Sequence, residues 1–376
     1  MLPACSRDSG PGGLAKADGK YALQVLDRAP EQGFASGAFH VRELHAAIDR
    51  RDPHAGALLR AAVIAYARAE HGLAIPAASR PAAWGQRAAP YDAARELDAA
   101  LRAGQFRAWL DAQPPASPLY RTLQQAYVAT LRQPQTPQTA AALTTLRANL
   151  ERLRWLPRTE PPTRIDVNIA SASLIYLVDG QPQLTMRTAS GKPGDETPIL
   201  TSTIDHLVLN PPWHVPDEIA DQELRPKGEG YLSSHGFVTD DSGRLVQQPG
   251  PDSALGLVKF EFDNPYAVYL HDTPAKSAFD RGQRAVSHGC VRLERALDLA
   301  DRLLGTQAGW SPERIRQVID SGETTTVKLE RPVPVRLLYL TAVPSEGRIV
   351  TLPDVYGWDP QVVSLLDRFS GPGAAT

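Results

Sequence analysis

Two side chains in this sequence have the types and spacing of a covalent acyl-transfer centre. His271 ends the alternating run Val268-Tyr269-Leu270-His271, and Cys290 follows 19 residues later in Ser287-His288-Gly289-Cys290-Val291-Arg292. Only one other cysteine exists, Cys5, so no disulfide framework competes for the thiol. A histidine beside a thiol takes its proton and returns it to a leaving amine. The basic residues Lys276, Arg281 and Arg284 lie between the two, and with the imidazole they are expected to lower the thiol pKa and supply thiolate. Gly289 lets backbone approach a substrate, and the N–H groups of Gly289 and Cys290 are candidate donors to an oxyanion. A buried lone cysteine is ordinarily an inert core residue. The polar Ser-His-Gly setting argues against that here.

The elements that must hold these groups follow from the pattern of apolar residues. Period two puts Tyr269 and His271 on one face of a strand over 266–271, with Val268 and Leu270 on the other. The strand ends at Asp272-Thr273-Pro274, and strand ends that feed loops are common places for catalytic groups. Further strands are predicted near 183–189, 199–209, 255–263, 324–329, 335–342 and 348–352, with Asp179-Gly180 as a hairpin turn. Helices are predicted over 294–304 and 311–320, the second opened by Ser311-Pro312-Glu313. Between about 211 and 253 the apolar pattern weakens, which predicts an irregular functional loop or lid.

Upstream, residues 20 to 157 carry helical spacing. Leu58, Leu59, Ala62, Val63 and Tyr66 form one stripe, and Leu119, Leu123, Ala126, Tyr127 and Leu131 another. Ser117-Pro118 is a cap with a first-turn proline. Leu143, Leu146, Leu150 and Leu153 mark a further helix. The prolines between Pro157 and Pro162 end this pattern. The expected fold class is therefore α+β: a flexible tether over 1–19, a helical scaffold over 20–157, and a mostly β catalytic domain over 158–376.

Composition excludes several classes. The 376 residues carry 40 Lys plus Arg against 42 Asp plus Glu, a net charge of −2 with no electrostatic footprint for nucleic acid. No apolar run approaches the roughly 20 residues that span a bilayer. The 33 prolines are well above ordinary usage and mark stiff connectors and strand borders. Leu2-Pro3-Ala4-Cys5 has the small residues of a lipoprotein acylation site without the charged and apolar regions that precede one. A lipid anchor at Cys5 is an expectation from that context.

His-Asp-Thr-Pro, a gap, and Ser-His-Gly-Cys-Val-Arg resemble the motif of the L,D-transpeptidase (YkuD-type) catalytic domain. Other segments resemble its larger, YcbB-like branch: Leu150-Glu151-Arg152 through Trp155-Leu156-Pro157, Gly191-Lys192-Pro193 with Thr197-Pro198, Asn210-Pro211-Pro212-Trp213 with Val215-Pro216, and Gly250-Pro251 through Ala254-Leu255-Gly256. The resemblance covers about 145–310 closely and the helical part loosely. The peptidoglycan-binding module usual in that branch has no room between 132 and 145.

The resemblance implies Cys290 as nucleophile and His271 as general base and acid, with the Asp272 carbonyl orienting the imidazole. His288, Gly289 and Ser287 would shape the cysteine loop. Arg292 would either hold a substrate carboxylate or pair with Glu294, and Tyr269 and Trp213 would line the substrate site or pack as ordinary aromatics. The implied partners are peptidoglycan stem peptides as donor and acceptor, with carbapenems as inhibitors. The implied protein is a cofactor-free, metal-free periplasmic monomer making 3–3 or 1–3 cross-links, the missing module leaning to 1–3. Three other readings stand beside it. One is a zinc site of His271, His288 and Cys290 with His206, His214 or His235. Another is papain-like proteolysis, which needs the histidine far downstream of the cysteine. The third is a binding scaffold with a spent site.

Overall fold

The computed structural model describes residues 14–369. Cys5, and with it the proposed anchor, lies outside them. The chain forms two compact units. One takes the described parts of Met1–Pro81, Gln86–Glu160 and Leu340–Thr376, and the other takes Ala82–Gly85 and Pro161–Tyr339.

The first unit is helical, with helices Lys16–Asp27, Val41–Asp49, Ala55–Arg68, Ala93–Ala103, Phe106–Asp111, Pro118–Leu131 and Pro137–Arg154. The first begins inside the stretch expected to be a tether. Leu14, Ala22 and Leu26 are buried and give it an apolar face to pack. Ser117 caps its helix by accepting the Tyr120 N–H at 3.1 Å, with Pro118 in the first turn. Leu59, Ala62, Val63 and Tyr66 are buried as the stripe predicts, while Leu58 is exposed. At the end of the last helix, Arg154 is wholly buried. It donates to Glu70 at 2.9 Å, to Glu151 at 3.2 Å and to the Tyr120 hydroxyl at 2.7 Å. These carboxylates compensate a cation that would otherwise be far too costly to bury.

The sequence reading placed 158–376 in one unit, but the chain from Leu340 returns to the helical one. Its helix Trp358–Asp367 packs on Pro137–Arg154. Asp359 accepts from Arg152 at 2.6 Å and from the Thr341 hydroxyl at 2.8 Å. The last predicted strand, near 348–352, is β14 (Arg348–Thr351), and it forms a separate hairpin with β13 (Ala342–Ser345).

The second unit is built on β1 (Arg164–Asn168), β2 (Ser173–Val178), β3 (Gln181–Gly191), β4 (Leu200–Leu209), β8 (Val258–Phe262), β9 (Leu270–His271), β10 (Ala285–Ser287), β11 (Val291–Leu293) and β12 (Thr325–Leu338), in the order β10-β3-β11-β9-β8-β4-β12-β1-β2. The pairing of β2 with β3 closes this order into a ring. Asp179 and Gly180 both have positive φ, the conformation a tight β2–β3 hairpin requires. The two strands predicted near 324–329 and 335–342 are one, β12. Its pairing with β4 shifts between Lys328 and Val333, where Pro332 removes a ladder donor. Helices Ala296–Leu304 and Pro312–Asp320 match their predicted places, and Ser311 accepts the Arg314 N–H at 3.2 Å.

Residues 211–253 are not irregular. β5 (Trp213–His214), β6 (Phe237–Thr239) and β7 (Leu245–Gln247) form a small sheet in the order β5-β7-β6, with short helical turns between β5 and β6. Val215, Ala220, Leu224, Phe237 and Leu245 make its own apolar cluster, with Trp213, Ile219, Tyr231 and Leu232 packed against it. The spacing of these residues follows three-residue strands and single turns, too short for either hydrophobic period to register.

Candidate active site

β9 is only two residues long, because Asn264 turns the chain before it. The Asn264 side chain accepts the N–H of Tyr266 and donates to the carbonyl of Val268 at 2.8 Å. The expected strand over 266–271 is thus mostly turn, yet Tyr269 and His271 still share a side, their rings 5.6 Å apart. Pairing then sets neighbours on either flank of the histidine. Lys259 of β8 and Arg292 of β11 both stand opposite His271 in register, so all three project from one face of the sheet. Phe260, Leu270 and Val291 point the other way and are fully buried.

His271 is 4% exposed, and its Nδ1 donates to the Asp272 carbonyl at 2.5 Å. That bond leaves Nε2 as the proton acceptor. Asp272 is itself fixed. Its carboxylate accepts the Leu257 N–H at 3.0 Å and the Lys276 ammonium at 2.6 Å. Gly256 makes room for it, since a Cβ there would lie 2.4 Å from Asp272 Oδ2, and φ of Gly256 is +60°.

The cysteine loop is braced through Ser287, which is buried. Its Oγ donates to the Cys290 carbonyl at 2.5 Å and accepts the Gly289 N–H at 3.2 Å. The Gly289 donor is therefore engaged, contrary to the sequence expectation, and the Cys290 N–H remains as the candidate oxyanion donor. Gly289 has φ +112° and its carbonyl accepts from the Thr197 hydroxyl at 2.7 Å. Thr197 in turn accepts the Gly191 N–H at 2.9 Å, where any Cβ would lie 1.9 Å from the Asp195 carbonyl oxygen. Sequence reasoning gave Thr197 no role. Its place between two glycines of distant segments is visible only in the fold.

His288 sits on the cysteine loop, two residues before Cys290. Its Nε2 pairs with Glu223 at 2.7 Å, tying the cysteine loop to the 211–253 insert. It borders a cavity of about 200 Å³ with Lys192, Asp195, Pro216 and Gln222 among its walls. Trp213, in the insert, is half-buried against Phe237 and acts on the Tyr269 hydroxyl.

The electrostatics correct the expectation of a resting thiolate. Burial pushes the Cys290 thiol above its usual value, outweighing Tyr269, Lys259 and Arg292, which favour the thiolate. Burial also pulls His271 down to about 3, helped by the nearby charges of Arg292, Lys259 and Lys276. At neutral pH the pair is thiol and neutral imidazole. Two of the cations expected to act on the sulfur are spent elsewhere: Lys276 on Asp272 and the Glu294 carbonyl, and Arg284 on the carbonyls of Thr188 and Ser171.

Arg292 does not pair with Glu294. Arg187 takes that carboxylate through its backbone N–H at 3.0 Å and its Nε at 2.9 Å. The Arg292 Nε is buried without a partner among the described residues, and burial lowers its pKa. Such a guanidinium is arranged to receive an anion. The histidines weighed as zinc ligands are dispersed. His206 sits between Asp205 and Glu261, and His235 on Tyr231 and Ser234. No three His, Cys, Asp or Glu side chains among the described residues gather in a metal-binding group.

Residues 162–334 match the model of the L,D-transpeptidase catalytic domain (YkuD), and residues 9–126 match that of a scaffold domain. A Haemophilus influenzae protein named "Putative L,D-transpeptidase" is 37% identical over 239 residues, which are 58% of this chain and 48% of that protein. The chain thus spans about half the length of the curated relative it matches. Similar solved structures include the E. faecium L,D-transpeptidase catalytic domain acylated by ertapenem (16% identity, 48% of this chain and 99% of that one, TM-score 0.27). Another is the L,D-transpeptidase from Mycobacterium smegmatis (20% identity, 46% and 58%, TM-score 0.25).

Proposed function

Starting from a chain that carries an L,D-transpeptidase catalytic domain of the YkuD type at 162–334 and a scaffold domain at 9–126, we propose that the whole protein cross-links peptidoglycan stems through a Cys290 acyl-enzyme. The observation that carries this reading is the convergence of three elements. The Cys290 thiol on the β10–β11 loop is acted on by Lys259 and Arg292, and the same two residues stand in register with His271, whose Nδ1 is committed to a backbone carbonyl, while the Arg292 Nε is buried without a partner among the described residues.

In the proposed reaction His271 Nε2 takes the Cys290 proton as sulfur attacks the donor carbonyl, at an L-centre bonded to a D-residue. The Cys290 N–H faces the developing oxyanion. The imidazolium then protonates the leaving amine, and a thioester remains. An amine of a second stem, the side chain of meso-diaminopimelate, attacks the thioester carbonyl and loses its proton to His271; the C–S bond breaks and the imidazolium returns that proton to the Cys290 sulfur. Arg292 anchors a stem carboxylate. Because the resting pair is neutral, proton transfer accompanies attack instead of preceding it.

The cross-link leans to 1–3, with acylation at the L-Ala of the donor, on the absence of space for a binding module between 132 and 145. The reaction is placed in the periplasm, with Cys5 as a lipid anchor. Carbapenems are expected to acylate Cys290. Intact mass after carbapenem exposure, with tandem sequencing of the cross-linked muropeptides, tests the reading. A Cys290→Ala variant that keeps adduct or product refutes it. Fractionation with the native upstream sequence tests the location.

A further inference from the structure

Lys259 lies on β8, two strands from the β11 that follows the cysteine, outside every motif noted in the sequence, yet its ammonium is 4.2 Å from the centroid of the Tyr269 ring. Its side chain is 19% exposed, and it is held in place. Glu261, two residues along β8 and therefore on the same face, pairs with it. Glu261 also meets His206 Nε2 from β4, whose Nδ1 lies 2.7 Å from Asp205. A surface lysine would be free to leave. This one is tethered by a carboxylate that is itself clamped from the neighbouring strand.

The groups that act on the sulfur are Tyr269 beside β9, Lys259 from β8 and Arg292 from β11, and the last two stand in register with His271. Tyr269 acts on Cys290 through both its backbone N–H and its hydroxyl. We propose that Lys259 is a positioning residue for the nucleophile, its tethered ammonium holding the Tyr269 ring and drawing density from it, so that the hydroxyl meets the sulfur as a stronger donor. A cation over an aromatic face attracts it, more strongly as the site loses water. The polarised phenol then stabilises negative charge as it develops on sulfur. This rests on Cys290 being the nucleophile, but its test does not require transpeptidation.

The experiment is the pH profile of Cys290 alkylation by iodoacetamide in the full chain, read by intact mass. Lys259→Met is expected to move the profile up by about one pH unit, about a tenfold loss of alkylation rate at pH 7. Lys259→Arg retains the profile. In a Tyr269→Phe background, Lys259→Met is expected to cost less than half as much on a logarithmic scale. Should Lys259→Met not fold, Glu261→Gln frees the ammonium and is expected to move the profile in the same direction by a smaller step. A profile that overlies wild type in the folded variant, or an equal cost with and without the Tyr269 hydroxyl, overturns the proposal. Failure of the transpeptidase reading would show instead as Cys290-independent product, with this profile unaffected.

Discussion

His271 is the residue whose environment departs furthest from what its neighbours in sequence suggest. Burial and three cations hold it neutral down to about pH 3, against an ordinary value of 6.5. The acid limb of carbapenem acylation is therefore expected well below pH 6.5, with no inflection there, and the rate climbs into the alkaline range as the thiol ionises. A rate–pH profile with a break near 6.5 would contradict this. His271→Gln, which keeps shape but not basicity, is expected to slow acylation by about 10²–10⁴-fold. Gly256 gives a second test at this scale. Gly256→Ala would put a Cβ into the Asp272 carboxylate at a positive φ, costing about 1–3 kcal/mol in denaturant unfolding. Displacing Asp272 also moves the carbonyl that orients His271, so acylation should fall more than the small stability loss explains.

At the scale of elements, the sequence exposed what had periodicity and hid what did not. The long helices and the strands β3, β4 and β8 were legible because their apolar residues recur at helix or strand spacing. Cys290, His271 and Ser287 were legible from a motif. Lys259, Glu261 and His206 were not, because they reach the site only through pairing across β4, β8 and β9, and pairing register is absent from local sequence. The 211–253 insert failed for the opposite reason, since its strands have two or three residues. Its cluster makes it a separate cooperative piece. Leu245→Ala removes a side chain that is 2% exposed in that cluster and is expected to cost about 2–5 kcal/mol locally. Limited proteolysis should then cut within 211–253 while the closed sheet stays resistant. Uniform digestion of the chain would show that the insert has no stability of its own.

For the molecule as a whole, acid is the weak side. His71 in the helical unit is also pulled down, to about 4, by burial and by Arg158, while it stacks on Tyr91 at 3.5 Å. Together with His271 it places one neutral histidine in each unit, His271 buried and His71 half-buried. In the unfolded chain both take a proton near pH 6.5, so between that value and about pH 3 to 4 the unfolded state binds more protons. Stability is thus expected to be undiminished above pH 6.5 and to fall as pH drops through this window. His71→Gln should flatten the decline in thermal melts followed from pH 7 to pH 4. An unchanged slope would mean that His71 is protonated in the folded protein.

The return of the chain at Leu340 has a consequence for biogenesis. Everything from Pro161 to Tyr339 is spliced into the helical unit as a guest within a host. A nascent polypeptide therefore holds the helices from Lys16–Asp27 to Pro137–Arg154 without their closing segment while the entire guest is synthesised and closes its ring. Only when Asp359 arrives to meet Arg152 can the host be sealed. A ribosome that stalls after Tyr339 would leave a finished guest attached to a host that lacks the segment from Leu340.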